Sequence, residues 1–308
     1  MNNFINIKDI SSENLRKILI DAKRRKFKRK KLKTLESDLG QPLRGKLLIQ
    51  MFEKSSLRTR LSFYLAIRQL GGSALTLRPD ELHLSKGGES ISDTAKILST
   101  YGDIFMLRTD SEKKLVSFKK NLSIPLINGL SPLSHPAQIL SDIFTIEEIT
   151  KKNISKLNIC WIGDTNNVLN SLIEASIKFS FKLNIGCPKN YRLSKDILNQ
   201  IKKTKKTIKT FNNPQKAIKN ADVVLTDKVI SMNDKVNKKK KIKDFLQFKI
   251  TSKLMSLSKN AYLLHCLPRG NEVSDEVFYG NRSKVWQQAY NRIHVQKSIL
   301  LFCLGKLR

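Results

Sequence analysis

The sequence predicts an α/β protein made of two doubly wound parallel-sheet domains joined by helices, with a C-terminal helix packing back on the first domain. Two observations carry this. Short apolar runs alternate with helical patterns almost from end to end, which is the signature of parallel strands covered by helices on both faces. The alternation also falls into two series separated by the polar stretch Thr150 to Lys156. With 308 residues the chain is long enough for two domains.

In the first series, strands are expected at Lys46–Phe52, Ser73–Leu77, Asp103–Leu107 and Ile124–Asn128. Helices should begin near Arg58, Ser90 and Glu112. A helix from Pro136 to Ile149 has proline at its start and apolar residues at helical spacing. The domain boundary is expected just after it, giving domains 1–150 and 151–308. In the second series strands are expected at Leu157–Ile162, Lys182–Cys187, Thr207–Phe211, Asp222–Thr226 and Ala261–His265. A final helix, about Trp286 to Leu304, is the one expected to return to the first domain. Neither an internal repeat nor a Gly/Ser linker is visible.

Composition narrows the class. Hydrophobic residues are 40% of the chain and aromatics 7%, an ordinary globular composition. No apolar run approaches the roughly 18 residues of a membrane span, and the N-terminus lacks a secretory pattern, so a cytoplasmic protein with no membrane partner is expected. The four cysteines, Cys160, Cys187, Cys266 and Cys303, are scattered without CxxC pairing. Free thiols are expected, with neither a disulfide framework nor a metal.

Lysine and arginine number 58 against 26 acids, a net charge of +32. Such a field attracts anions of any kind, nucleic acid and phosphorylated small molecules included. The excess lies mostly in lysine runs, 23–33, 202–209 and 235–243, in which Phe27 is the single aromatic, too few to stack successive bases. A solvated surface is the reading favoured over a basic nucleic-acid-binding protein on an enzyme-like scaffold.

Phe52-Glu-Lys-Ser-Ser-Leu-Arg-Thr-Arg-Leu-Ser-Phe63 runs from a predicted strand into a helix. Backbone N–H groups and the hydroxyls of Ser56 and Thr59 would face one point there, and helix N-termini bind phosphate for this reason. Arg58 adds a planar fork suited to phosphate oxygens. This segment resembles the Ser-Thr-Arg-Thr-Arg phosphate loop of the aspartate and ornithine carbamoyltransferases. Leu57 stands where that pattern usually has threonine, which removes a hydroxyl and keeps the backbone N–H. A Ser-Leu-Arg-Thr-Arg form also resembles the acetylornithine and succinylornithine relatives, so the amine must be decided elsewhere in the chain.

Further segments extend the resemblance over nearly the whole chain, in the family's order. Ser134-His-Pro-Ala-Gln-Ile-Leu-Ser-Asp142 resembles the His-Pro-x-Gln motif. By that resemblance His135 and Gln138 hold the carbamoyl group, with Arg108 polarising its carbonyl. Glu81-Leu-His-Leu-Ser-Lys-Gly-Gly-Glu-Ser90 resembles the loop that reaches a neighbouring subunit's site, which implies a homotrimer with His83 acting in trans. Asn291-Arg-Ile-His-Val-Gln-Lys297 resembles the C-terminal Asn-Arg-x-His helix, in which Arg292 reaches the carbamoyl carbonyl.

For the second substrate, Trp161-Ile-Gly-Asp-Thr-Asn-Asn-Val168 resembles the ornithine family's Gly-Asp-x-Asn-Asn segment, with Asn167 on the amino acid's α-carboxylate and α-amino region. Asp222-Val-Val-Leu-Thr-Asp-Lys-Val-Ile-Ser-Met-Asn233 resembles the Thr-Asp-x-x-x-Ser-Met-Gly loop, departing from it at Lys228 and Asn233. There Asp227 meets the α-ammonium, beside Ser231 and Met232. His265-Cys-Leu-Pro-Arg-Gly-Asn-Glu-Val273 resembles the His-Cys-Leu-Pro motif, where the aspartate enzymes carry proline in place of Cys266. Cys266 and Leu267 would lie beside the attacking amine and the carbamoyl phosphate.

The resemblance implies carbamoyl phosphate binding in 1–150, L-ornithine binding in 151–308, and transfer of the carbamoyl group to the δ-amine to give citrulline. Catalytic roles fall to Arg108, His135, Cys266 and Arg292, and no cofactor or metal is implied. Transfer to another amine, such as putrescine or an N-acylated ornithine, stays open at this point. Arginine biosynthesis and arginine breakdown would use the same groups.

Overall fold

The computed structural model describes residues 2–78, 88–191, 193–202, 207–230 and 237–307. It divides into a first unit, Met1–Phe144 with Ala289–Arg308, and a second unit, Thr145–Gln288.

The first unit runs α1 (Ser12–Lys28), β1 (Leu47–Phe52), α2 (Leu57–Gln69), β2 (Ser73–Leu77), α3 (Ile91–Tyr101), β3 (Ile104–Arg108), α4 (Glu112–Asn121), β4 (Leu126–Leu130) and α5 (Pro136–Thr150), which continues into the second unit. Its strands are all parallel, in the order β2-β1-β3-β4. The chain leaves β1 to one side for β2 and returns to the other side for β3, so the connections part between β1 and β3. That switch point is where open α/β sheets bind ligands, beyond the carboxyl ends of the strands. One face of the sheet packs Ile49, Met51, Phe105 and Leu107 against Ala95 and Leu98 of α3 and Leu115 and Phe118 of α4. Burial on both faces explains why β1 and β3 read as nearly continuous apolar runs, whereas the edge strand β2 is largely uncovered.

The second unit contains β5 (Asn158–Ile162), α6 (Asn167–Phe179), β6 (Lys182–Gly186), α7 (Lys195–Lys202), β7 (Ile208–Phe211), α8 (Pro214–Ile218), β8 (Val223–Asp227), α9 (Lys238–Phe245), α10 (Ser252–Met255), β9 (Tyr262–Cys266) and α11 (Asp275–Phe278). Its sheet is again parallel, in the order β7-β6-β5-β8-β9, with its switch point between β5 and β8. Cys160, Ile162, Val224 and Leu263 pack with Phe245, Phe248 and Met255 in its main core. A last helix, α12 (Val285–Cys303), starts here and ends in the first unit. Among the described residues, no helix is long and apolar enough to cross a membrane.

Helix α1 is absent from the predicted elements. Ser11 caps it by accepting from Asn14 N, and Leu15, Ile18, Leu19 and Ala22 form its buried stripe. The periodic signal is present in the sequence, but the basic run that begins at Lys23 overlies it. That run is also not simply solvated surface, which corrects the reading of its charges. Arg29 is 6% exposed and donates to Asp38 Oδ1 at 2.8 Å and to Glu36 O at 2.7 Å. Lys26 Nζ donates to Asn291 Oδ1 at 2.7 Å. In the 235–243 run, Lys241 is 3% exposed and paired with Asp164 at 2.6 Å. Part of the 202–209 run lies outside the described residues.

The C-terminal helix is held to the first unit by charge. Lys297, fully buried, donates to both oxygens of Asp38 at 2.8 and 2.9 Å. Ser298 Oγ donates to Asp21 Oδ2 at 2.8 Å, and Arg25 Nε reaches the same oxygen at 2.7 Å. Burial pulls the Lys297 ammonium down to about 8, against the opposing attraction of Asp38. Burial and the neighbouring Lys297 and Lys26 cations push His294 down to about 3, so its imidazole is neutral. Removing one partner of a buried pair strands the other charge, at roughly 3–5 kcal/mol. Asp38→Asn is therefore expected to lower the unfolding free energy by about 3 kcal/mol or more, measured by equilibrium denaturation. A loss below about 1 kcal/mol would show that the pair contributes no more than a surface bridge.

Candidate active site

At the switch point of the first unit, β1 ends at Phe52 and α2 starts at Leu57, so the intervening loop points its backbone toward the carboxyl edge of the sheet. Ser56 occupies the position before the helix but spends its side chain elsewhere: Arg108 Nη1 donates to Ser56 Oγ at 3.0 Å. Thr59, in the first turn, is buried and accepts from Arg292 Nη2 at 2.7 Å. Leu57 is 69% exposed, so it contributes its backbone and no side-chain packing at this point.

Arg108 closes β3, one residue beyond the predicted strand end. The β3–β4 register shifts between Leu107 and Arg108, which pair with Asn128 and Leu130, so Gly129 of β4 is the extra residue at this irregularity. Gly129 makes this possible, because a Cβ there would collide with Met106 Sδ and crowd Leu107 O at 3.3 Å.

His135 sits between β4 and α5, in a loop fixed from below. Asn128 Nδ2 of β4 donates to Ser134 Oγ at 2.8 Å, and Ser134 Oγ donates to Asn6 Oδ1 at 2.8 Å. On the next turn, Gln138 is clamped from both sides. Its Nε2 donates to Asp142 Oδ1 at 2.8 Å, and its Oε1 accepts from Arg292 Nη1 at 2.9 Å. Burial, then the positive charges of Arg292, Arg108 and Arg58, hold the His135 imidazole well below the usual histidine range. Those guanidinium groups come from α12, β3 and α2, and His135 feels all of them. Ser56, Arg58, Thr59, Arg108, His135, Gln138 and Arg292 thus form one constellation in the first unit. A neutral imidazole with three guanidinium groups suits a dianion bearing a carbonyl.

The switch point of the second unit carries the other predicted residues. Asn166 caps α6, accepting from Val168 N at 3.0 Å and Leu169 N at 3.1 Å, while its Nδ2 donates to Asp227 Oδ2 at 2.8 Å. Asn167, the residue singled out from the sequence, is the first residue of α6. Asn166 is the partner that sequence reasoning passed over, although the N-cap rule points to the residue just before the helix. Asp227 ends β8 and lies in register with Cys266 of β9. Burial raises the Asp227 carboxyl to about 6; the Glu272 charge adds to this, while His265, the Lys228 backbone N–H and Asn166 oppose it.

Beside Cys266, His265 Nε2 and Glu272 Oε1 are 2.8 Å apart, and Gly270 N donates to the same carboxylate oxygen at 2.6 Å. The Leu267–Pro268 peptide that follows is cis. Cys160, Cys187, Cys266 and Cys303 are all free and buried. Among the described residues, no group of three or more His, Cys, Asp or Glu could hold a metal ion. His83, Ser231 and Met232 lie outside the described residues.

The chain is thus a two-sheet α/β protein of the ligand-binding type, with an arginine cluster at one switch point and a carboxylate and a thiol at adjacent strand ends of the other sheet. Comparison with known proteins gives the family. Residues 2–148 match the model of the aspartate/ornithine carbamoyltransferase carbamoyl-P binding domain, and residues 155–303 match that of the Asp/Orn binding domain. The ornithine carbamoyltransferase of Rhizorhabdus wittichii is 39% identical over 307 residues, covering 99% of this chain and 98% of that one. That of Rhodopseudomonas palustris is 41% identical over 306 residues, covering 98% and 96%. Among solved structures, the ornithine carbamoyltransferase from Pyrococcus furiosus superposes with a TM-score of 0.91 at 35% identity, covering 100% of this chain and 98% of that chain. The anabolic enzyme from Campylobacter jejuni gives 0.87 at 38% identity, covering all of both chains. The chain belongs to the aspartate/ornithine carbamoyltransferase family.

Asn166→Ala tests the second-unit geometry. Loss of the cap is expected to cost about 1 kcal/mol of stability. Loss of the amide donor should raise Asp227 above its value of about 6, read by carboxyl-carbon NMR titration. An unmoved titration would separate Asn166 from Asp227.

Proposed function

We propose that this chain transfers the carbamoyl group of carbamoyl phosphate to the δ-amine of L-ornithine, giving L-citrulline and phosphate. The observation that carries the reading is the convergence of Arg58, Arg108 and Arg292 on His135, beside Ser56, Thr59 and Gln138. The names of its relatives and the two matched domain families support the same assignment.

In this reading the phosphate takes Ser56, Arg58, Thr59 and the backbone N–H groups at Leu57, where the helix dipole favours an anion. Arg108, His135 and Arg292 face the carbamoyl oxygen, with Gln138 on the same group. Because its imidazole is neutral, His135 adds a hydrogen bond without a fourth positive charge. Donors held in place stabilise the oxyanion that grows as the amine attacks. The nitrogen–carbon bond forms, the bond from carbon to the phosphate oxygen breaks, and the proton lost by nitrogen ends on the departing phosphate. Asp227 receives the α-ammonium of ornithine, with Asn167, Ser231 and Met232 around the amino-acid end. Cys266 lies near the δ-amine, and the carbonyl of Cys266 or Leu267 accepts a hydrogen bond from it. A carboxylate at Asp227 favours ornithine over aspartate as the acceptor. Residues 1–150, with Arg292 of α12, would serve the first substrate, and the rest of 151–308 the second. The resemblance at His83 extends the reading to a cytoplasmic homotrimer with that side chain acting in trans, tested by sedimentation and by mixing His83→Ala with Arg58→Ala chains to regain activity.

Arg58→Ala is expected to lower kcat/KM for carbamoyl phosphate by roughly 100- to 1,000-fold with folding intact; full activity would remove the cradle. A panel of amines scored for ureido product tests the acceptor, with ornithine expected first and putrescine or acylated ornithine as the outcomes that would displace it.

The pH profile gives a sharper check. The δ-amine must lose a proton from an ordinary value of roughly 10.4, so kcat/KM for ornithine should rise with pH at a logarithmic slope of about 1. Below the Asp227 value of about 6 its carboxylate is also lost, and the slope should steepen to about 2. Asp227→Asn should bind ornithine weakly and show no steepening. A wild-type profile of constant slope through pH 6 would detach Asp227 from the amino acid.

A further inference from the structure

The loop between Phe52 and Ser56 and the loop after Arg108 hold the anion-binding groups at the right spacing, yet neither is a regular element. What joins them is Glu53, a residue with no part in the roles above. Its backbone N–H donates to Arg108 O at 3.0 Å. Its carboxylate takes the Thr109 hydroxyl on one oxygen and the Lys114 ammonium on the other. Thr109 Oγ1 in turn accepts from Ser111 N at 3.0 Å, and Ser111 caps α4 by accepting from Lys114 N at 3.2 Å. Thr109 is buried, and the Glu53 side chain is only 11% exposed. A second bridge, Lys54 to Asp110 at 3.5 Å, crosses the same two loops but is more exposed.

We infer that Glu53 is the positioning residue of the phosphate site: one carboxylate ties the end of β1, the end of β3 and the first turn of α4 together, and so sets the distance between the Ser56–Arg58 loop and Arg108. This rests on the carbamoyl-phosphate reading given above. A carboxylate next to an anion site would repel its ligand, and Lys114 offsets that charge. Glu53 and Lys114 therefore act as a unit. Removing the cation alone leaves an unpaired anion beside the phosphate loop, whereas removing both charges leaves only a looser fit.

The test is steady-state kinetics of the full chain with each substrate varied in turn, on wild type, Glu53→Gln, Thr109→Val, Lys114→Met and the double variant Glu53→Gln/Lys114→Met, with thermal unfolding on each. Misplacement of about 1 Å is enough for a loss of about 100-fold. Glu53→Gln is expected to raise KM for carbamoyl phosphate roughly 10- to 100-fold, with a smaller fall in kcat and KM for ornithine within about 3-fold. Lys114→Met should be more impaired than Glu53→Gln, and the double variant should return to the Glu53→Gln level and no further. A Glu53→Gln enzyme with wild-type KM for carbamoyl phosphate overturns the inference. So do equal rises in both KM values, the sign of general damage, and a double variant worse than Lys114→Met, the sign of a lysine that binds phosphate directly. Wild type forming no citrulline would bring down the underlying reading instead, before any variant is compared.

Discussion

The first unit depends on a buried charge cluster. Asp38 accepts from Lys297 and Arg29, and Asp21 ties Arg25 to Ser298, so ions are buried along α12 beside its apolar residues Val295, Ile299 and Leu300. Ionic contacts in a dry interior have narrow geometric tolerance, because a displaced partner leaves a charge unsolvated. They therefore fix the register of the helix more tightly than interchangeable aliphatic contacts would. Arg292 lies five residues before Lys297 on the same helix, and its guanidinium group reaches Thr59 and Gln138 only in that register. Placement of a group in the anion site is thus set by a cluster more than a helical turn away.

The same economy of charge runs through the site itself. Burial first, and then the three guanidinium groups near His135, keep the imidazole neutral, so the cationic character of the pocket belongs to its arginines. In the second unit the balance is reversed. Asp227 sits where burial and Glu272 disfavour its ionised form, and His265, the Lys228 backbone N–H and Asn166 counter them. A carboxylate in that condition gains most from an incoming ammonium, which in the proposed function couples amino-acid binding to its ionisation.

Much of this could be read from residue order. The inner parallel strands were legible because burial on both faces makes them nearly continuous apolar runs, and their observed limits lie within two residues of the predicted ones, as at β4, Leu126–Leu130 against Ile124–Asn128. The arginine, histidine and glutamine of the first site were legible because each lies just past a strand or in a first helical turn. Other features were not. Helix α1 was hidden under its own basic residues. Arg29 and Lys241 looked like solvated charges, since a lysine-rich run gives no sign of which member finds a buried carboxylate. Asn166 and Asn167 differ by one position, and only the observed helix start separates the cap that touches Asp227 from its neighbour. Contacts such as Glu53 with Thr109 and Lys114 join residues more than fifty positions apart, beyond the reach of any local pattern.

By itself, then, the amino-acid order determined the α/β class, the division into two series of strands and the chemical character of each strand-end loop, because hydrophobic periodicity and helix-start chemistry are local properties. Tertiary structure alone decided which of the many cations are buried, that His135 is dry enough beside Arg58, Arg108 and Arg292 to stay neutral, and that Asp227 titrates high. Those outcomes depend on desolvation and on Coulomb interactions across a few ångströms, and both are quantities of distance that a linear sequence does not contain.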